Sequence, residues 1–333
     1  MSAPLQTAVI GAGQMGRLQA RVVSECEATE LVAVVDSDPA AERVARAARA
    51  EWLPSADGLG PLDLAIVAVP TAEHAAVATP LLEAGVPVLV EKPLAATVEE
   101  AEALIATAAH AGVPLGVGHV ERFNPAVQAL QAKLAAGELG RVFQVRAERL
   151  SPFPVRVGDT GVAFDLATHD LDVMCELAGT PVRVSAEIDR KAHRTHEDLV
   201  AATLRFDSGI IGLLEVNWLT PTKVRRLTVT GEGGMFVVDY LNQHLTLYEN
   251  AHERESWRTL DFFDGVTEGN VTRFAIPREE PLRAQLEAFV RAVRGEAPSP
   301  VTGADGLRAL RLALAVVESG LAGHTVDLPV GGR

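Results

Sequence analysis

Three groups of residues in this chain combine a reactive side chain with a spacing that could put it to use. The first is Glu91-Lys92-Pro93, which closes the apolar run Val88 to Val90 with an acid, a base and a proline. Proline cannot donate to a sheet ladder, so Glu91 and Lys92 fall at the carboxyl end of a buried strand, the edge where open α/β sheets bind ligands, and both are expected at the cofactor. A lysine there can donate to a substrate oxygen or, once partly desolvated, give up a proton. The second group is Gly11-Ala12-Gly13-Gln14-Met15-Gly16, directly after the apolar run Thr7 to Ile10 and directly before a helical stretch. At this spacing Gly11 permits a tight turn, Gly13 lets the backbone approach a pyrophosphate, and Gly16 lets helix and strand pack closely, with Gln14 and Met15 opening the helix. The third group is Asp165, His169, Asp172 and Glu176, which lie on one helical face opposite Ala167, Leu171, Met174 and Ala178. A histidine with an ordinary pKa of roughly 6.5 is suited to take a proton from a hydroxyl, and carboxylates beside it would orient it and favour its charged form. Each group also has a bland reading: Lys92 as a solvated charge, the glycines as a structural turn, the acidic face as a solvated stripe.

The elements around these groups narrow the choice. A second strand, Leu31 to Val35, ends at Asp36, where an acid can hold the two adenosine ribose hydroxyls and repel a 2′-phosphate. That favours NAD over NADP. The alternation continues through Leu64 to Val69, Pro70-Thr71, a helix near 73–84, the Lys92 strand, a helix over 97–111 and a strand over 113–117. Strand and helix in turn, with short connections, predict a doubly wound parallel sheet in a domain spanning residues 1–120. Pro70 and Thr71 sit at a strand end, where they either flank the cofactor or form a plain turn.

Beyond residue 120 the pattern changes. One helix, Ala126 to Ala136, precedes seven runs with strand-like alternation between Val142 and Tyr248, two of them joined by the hairpin turn Asp207-Ser208-Gly209. Most connections are too short for crossovers, so residues 121–333 are predicted to form an α+β domain with a mainly antiparallel open sheet. Leu282 to Val293 and Leu307 to Leu321 are amphipathic helices around a Pro298-Ser299-Pro300 break, read as packing elements. Arg156, in a proline-broken segment, either reaches an anionic substrate group or lies in a surface loop. Trp218, at a strand end, is either a sugar wall or part of the core, and Lys223 follows it.

The totals set outer limits. With 333 residues, 48% hydrophobic and 22% charged, the chain can bury the cores of two domains. A formal net charge of −14, with no basic cluster, argues against nucleic acid or an anionic membrane as partner. Two cysteines, Cys26 and Cys175, are too few for a disulfide framework or a cysteine zinc site. Nothing ahead of the first strand resembles a signal peptide, and no apolar run is long enough to span a bilayer, so a cytoplasmic protein is expected.

The glycine turn, the Glu91-Lys92-Pro93 ending and the segment Glu121-Arg122-Phe123-Asn124-Pro125 together resemble the Gfo/Idh/MocA family of sugar and cyclitol oxidoreductases, over essentially the whole chain. The resemblance implies that Lys92 lies beside the nicotinamide and the substrate hydroxyl, and that Arg122 matches an arginine placed after the last strand of the nucleotide domain, at the cofactor; from the residues alone Arg122 is equally a surface arginine at a helix start. It implies too that Asp165, His169 and Asp172 match a D-x-x-x-H-x-x-D segment approaching the reactive ring, with Asp165 a partner of substrate or histidine and Asp172 the weaker candidate. Catalysis by Lys92, His169 and Asp165 is therefore expected, with no metal, since hydride transfer to NAD needs none.

Segments 118–125, 155–161 and 217–225 are similar to the UDP-N-acetylglucosamine 3-dehydrogenase branch of the family. That branch implies a nucleotide sugar whose diphosphate meets Arg156 or Lys223. An inositol or free-sugar dehydrogenase and a non-catalytic NAD-binding regulator are the rivals. A homodimer or homotetramer through the second sheet is expected from the family's habit of covering that face.

Overall fold

The computed structural model of the protein describes residues 3–154, 160–192, 195–251 and 268–329. The chain forms two compact units, one of Met1–Val120 with Glu280–Arg311 and the other of Glu121–Glu279 with Leu312–Arg333.

The first unit is an α/β sandwich. Its elements are β1 (Leu5–Ile10), α1 (Gln14–Glu25), β2 (Thr29–Val35), α2 (Glu42–Ala47), β3 (Glu51–Leu53), β4 (Leu64–Val67), α3 (His74–Glu83), β5 (Val88–Val90), α4 (Val98–Ala111) and β6 (Leu115–Val117). The strands form one parallel sheet in the order β3-β2-β1-β4-β5-β6. Apolar runs with no alternation suit this sheet because helices cover both of its faces: β4 and β5 are buried at every residue. The strand order reverses between β1 and β4, and sheets of this kind bind ligands at the carboxyl side of such a reversal.

The second unit holds α5 (Pro125–Ala135), β7 (Val142–Leu150), α6 (Thr168–Ala178), β8 (Pro181–Asp189), β9 (Leu199–Phe206), β10 (Ile211–Asn217), β11 (Val224–Gly231), β12 (Gly234–Asp239), β13 (His244–Asn250) and β14 (Glu268–Phe274). These strands, with the late β15 (Val326–Asp327), make a nine-stranded sheet in the order β14-β13-β12-β11-β7-β10-β9-β8-β15. Only β7 and β10 pair in parallel, so the expected mainly antiparallel sheet is present. Alternation along the strands sends one face inward: in β7 the buried residues are Val145, Ala147 and Arg149. The helices lie on that face and share one core with it, including Leu130, Leu171 and Met174.

Two late helices, α7 (Pro281–Val293) and α8 (Gly303–Ala322), show where periodicity stops being informative. The sequence reading leaves residues 280–311 with the second domain, whereas they pack in the first unit. The reason lies in α7, whose Leu286 and Phe289 share a core with Val9, Ile66 and Leu89. Each such side chain stabilises by about 1.5–3 kcal/mol when buried, enough to fix where the helix docks. Among the described residues no helix is long and apolar enough to cross a membrane.

Candidate active site

The glycine turn joins β1 to α1 as expected, and two of its glycines answer to steric demands. Gly11 has φ +93°, and a β-carbon there would stand 2.5 Å from the carbonyl oxygen of Ala68. A β-carbon at Gly16 would overlap the carbonyl oxygen of Gly11. Around Gly13, by contrast, the space where a side chain would project is open. Helix α1 begins after Gly13 with no side-chain cap, leaving the first-turn amides near Gln14 and Met15 free of intrahelical partners, as an incoming pyrophosphate requires.

Asp36 follows β2 and is half-buried. Its Oδ2 accepts from the Ala12 amide at 2.7 Å and its Oδ1 from the Asp38 amide at 2.9 Å. The acid thus fastens the glycine turn to the end of β2. A carboxylate offers about four acceptor positions, so two remain for a pair of ribose hydroxyls. An open Gly13, uncapped amides and this acid fit NAD. Pro70 is exposed and Thr71 half-buried in the turn before α3.

Lys92 is half-buried at the end of β5, with a cis peptide bond to Pro93. Glu91, expected at the cofactor, is instead only 7% exposed, and its Oε1 accepts from Gln19 Nε2 of α1 at 2.7 Å. Burial raises its carboxyl above the usual range, against the pull of Gln19 and of the Lys92 charge. Its side chain therefore anchors the strand end to α1.

In the second unit the helix carrying His169 departs from the predicted single periodicity. Ala163–Ala167 form a turn of π-helix and α6 starts at Thr168, so Asp165 and His169 are not related by an uninterrupted α-helical turn. Single π turns inside helices recur at functional sites because they re-aim side chains. Both residues are half-buried.

The predicted polar stripe is also not solvated throughout. Asp172 is buried and receives Arg122 through two bonds, Nε to Oδ2 and Nη2 to Oδ1, each 2.6 Å, while Arg122 Nη1 reaches Glu176 at 3.1 Å. Arg122, expected at the cofactor, has its guanidinium on these two acids of α6.

One residue after His169, Asp170 makes a second such pair. Arg149 of β7 donates to its Oδ2 from Nε at 2.5 Å and to its Oδ1 from Nη2 at 3.1 Å, and donates to Glu121 from Nη1 at 3.0 Å. Burial opposes the charge on Arg149, but Asp170 and Glu121 outweigh it and raise its pKa. Its cross-strand neighbour Arg225 is pulled down to about 10, by burial first and then by Arg149. Arg149 and Asp170 were missed from the sequence. The available signal was alternation: Arg149 shares the inward parity of Val145 and Ala147, and an inward arginine needs a buried acid.

The Arg122–Asp172 pair sets a measurable expectation. Removing one member of a buried pair strands the other, at about 3–5 kcal/mol, and Glu176 can relieve part of that. Asp172→Ala is expected to lose about 3 kcal/mol in the hydrogen-exchange protection of α6. An Arg122→Met, Asp172→Leu double variant should recover most of it.

The remaining expected contacts divide. Trp218 is buried, with its ring edge-on to Phe153 at 5.7 Å between centroids. Lys223 is exposed. Arg156 lies outside the described residues. Lys92 belongs to the first unit, and Asp165 and His169 to the second.

Comparison with known proteins agrees with this fold. Residues 5–119 match the family model described as the oxidoreductase family with an NAD-binding Rossmann fold, and residues 127–237 match the GFO/IDH/MocA C-terminal domain. The chain belongs to the Gfo/Idh/MocA oxidoreductases, NAD-dependent dehydrogenases acting on CH–OH groups. It is 33% identical over 317 residues to the UDP-N-acetylglucosamine 3-dehydrogenase of Acidithiobacillus ferrooxidans, covering 94% of this chain and 96% of the relative. The solved structure of that enzyme matches with a TM-score of 0.86 at 31% identity, over 96% of this chain and 99% of the other. Myo-inositol dehydrogenase Hyg17 of Streptomyces leeuwenhoekii is 32% identical over 345 residues, covering 98% and 100%.

Proposed function

We propose that the protein oxidises a secondary hydroxyl of a nucleotide sugar to a ketone, in the manner of a UDP-N-acetylglucosamine 3-dehydrogenase. The observation that carries this reading is the 33% identity to that enzyme across 94% of the chain, with no large insertion or deletion implied by 96% coverage of the relative. When bound, NAD supplies the acceptor for the hydride that leaves the carbon bearing the hydroxyl. Gly11, Gly13, Gly16, Gln14, Met15 and Asp36 hold that cofactor, with Pro70 and Thr71 beside it.

Lys92 donates to the reacting oxygen and stabilises negative charge as it develops there. His169 takes the hydroxyl proton, so hydride and proton leave the same C–H and O–H bonds and a C=O bond forms between the two atoms. Asp165 orients substrate and imidazole. Arg122 and Arg149 serve the chemistry at one remove, by holding α6 through Asp172 and Asp170. Arg156 and Lys223 meet the diphosphate of the nucleotide.

The protein works in the cytoplasm as a homodimer or homotetramer formed through the second sheet. The outward face of that sheet supports an assembly, because Leu213, Met235 and Val237 are half-exposed on it.

The test is the growth of reduced-nicotinamide absorbance when pure protein and NAD meet UDP-N-acetylglucosamine, with myo-inositol and glucose in parallel. Turnover confined to the nucleotide sugar is the expected outcome. Turnover confined to inositol would replace the substrate and keep the reaction class.

A further inference from the structure

We infer that His74, a residue without an assigned part in the reaction, is a positioning residue for Lys92. The inference rests on the proposed role of Lys92. Strands β4 and β5 are hydrogen-bonded neighbours, and their backbone ladder runs as far as the Glu91 amide, which donates to the Val67 carbonyl at 2.9 Å. Two residues further on each chain, the ladder is replaced by a side chain. The imidazole of His74 lies between the two, with Nε2 3.0 Å from the carbonyl oxygen of Val69 and Nδ1 2.9 Å from that of Pro93. Lys92 is thus held between a backbone rung at Glu91 and an imidazole rung at Pro93.

The sequence explains why a side chain is needed there. Pro93 has no amide hydrogen, so it cannot donate the rung that would reach the Val69 carbonyl. His74 is itself only 1% exposed, and its ring stands within hydrogen-bonding distance of both carbonyls, donating to one of them when neutral. The ring is rigid and enters from the first residue of α3, so it sets the separation of the two chain segments that leave the sheet. One of those segments carries Pro70 and Thr71; the other carries Lys92.

Burial lowers the basicity of His74 and the Lys92 ammonium adds to this, while the carbonyls of Pro93 and Val69 favour an N–H on each nitrogen. A neutral imidazole donates through one nitrogen only. Phenylalanine at this place would keep a flat ring and donate through neither.

The chain contains four lysines, Lys92, Lys133, Lys191 and Lys223. Reductive methylation with 13C-formaldehyde therefore gives a lysine spectrum simple enough to assign with Lys92→Arg. In His74→Phe, the Lys92 signal is expected to shift while the other three stay in place. Turnover number should fall about 10- to 100-fold, the scale of a slightly misplaced catalytic group, with the NAD dissociation constant changed less than about threefold. His74→Gln, whose amide nitrogen can still donate to a carbonyl, should recover part of the turnover and return the Lys92 signal toward its original position. If His74→Phe does not fold, His74→Gln decides alone, its smaller displacement read on the same signal. A Lys92 signal unmoved in a folded variant would overturn the inference, and so would four signals moving together with a drop in melting temperature. The spectrum needs no substrate, so a wrong substrate assignment would leave this outcome legible.

Discussion

Replacing Lys92 with alanine is expected to lower kcat about 10³-fold, equivalent to ~4 kcal/mol of lost transition-state stabilisation, while NAD binds within about threefold of its original affinity. The two halves of that result come from different parts of the first unit. The proposed cofactor cradle is built from the β1–α1 turn and the end of β2, tied together by the bond from the Ala12 amide to Asp36. The fold of the loop also survives, because Glu91 is anchored to Gln19 and the Pro93 carbonyl to His74 independently of the lysine. On the proposed role of Lys92, what disappears is a cation beside the oxygen as negative charge develops on it. Calorimetric titration with NAD and steady-state kinetics on the same preparation separate the two. Loss of both activities together would mean that Lys92 holds the cofactor and not the reacting oxygen.

The contrast between Lys92 and its neighbours shows what could be read from the sequence. Val88-Leu89-Val90 followed by Glu91-Lys92-Pro93 marks a buried strand and its end without reference to anything else, because the run is apolar and proline stops a ladder. The glycine turn with Asp36 was legible for the same reason: turn, helix and acid are local in sequence and local in space. Glu91 was not. Whether a carboxyl at a strand end faces a ligand or the interior depends on what α1 offers it, and Gln19 lies 72 positions away.

The same limit applies to the polar face of α6. Periodicity put Asp172 on that face, but a helical wheel carries no information about Arg122, 50 positions upstream, nor about a π turn that changes the phase ahead of Thr168. β3, three residues long, is too short to show any period, and α7 announces an apolar face without saying which core receives it. Patterns report that a face is buried. They do not report its partner.

His169 gives the second large effect, and it is one that pH resolves. Removing a general base typically costs about 10²–10⁴-fold, so His169→Gln is expected to lower kcat/KM by that order with UDP-N-acetylglucosamine or whichever substrate turns over. The magnitude alone does not distinguish a base from a residue that only shapes the site. The pH profile does. On the proposed role, the rate of oxidation in the unaltered protein is expected to fall on the acid side as His169 takes up a proton and can no longer accept one from the hydroxyl. In His169→Gln that acid limb should vanish, and the residual rate should climb with pH as hydroxide substitutes for the missing base. The helix that presents the imidazole need not change, because its register is held just after residue 169 by buried ion pairs that do not involve it, Arg149 to Asp170 and Arg122 to Asp172. Asp165→Asn supplies the internal control. It keeps the base and removes a charge that favours the imidazolium, so it should leave an acid limb in place, displaced toward lower pH. An acid limb that persists unchanged in His169→Gln would assign proton removal to another group.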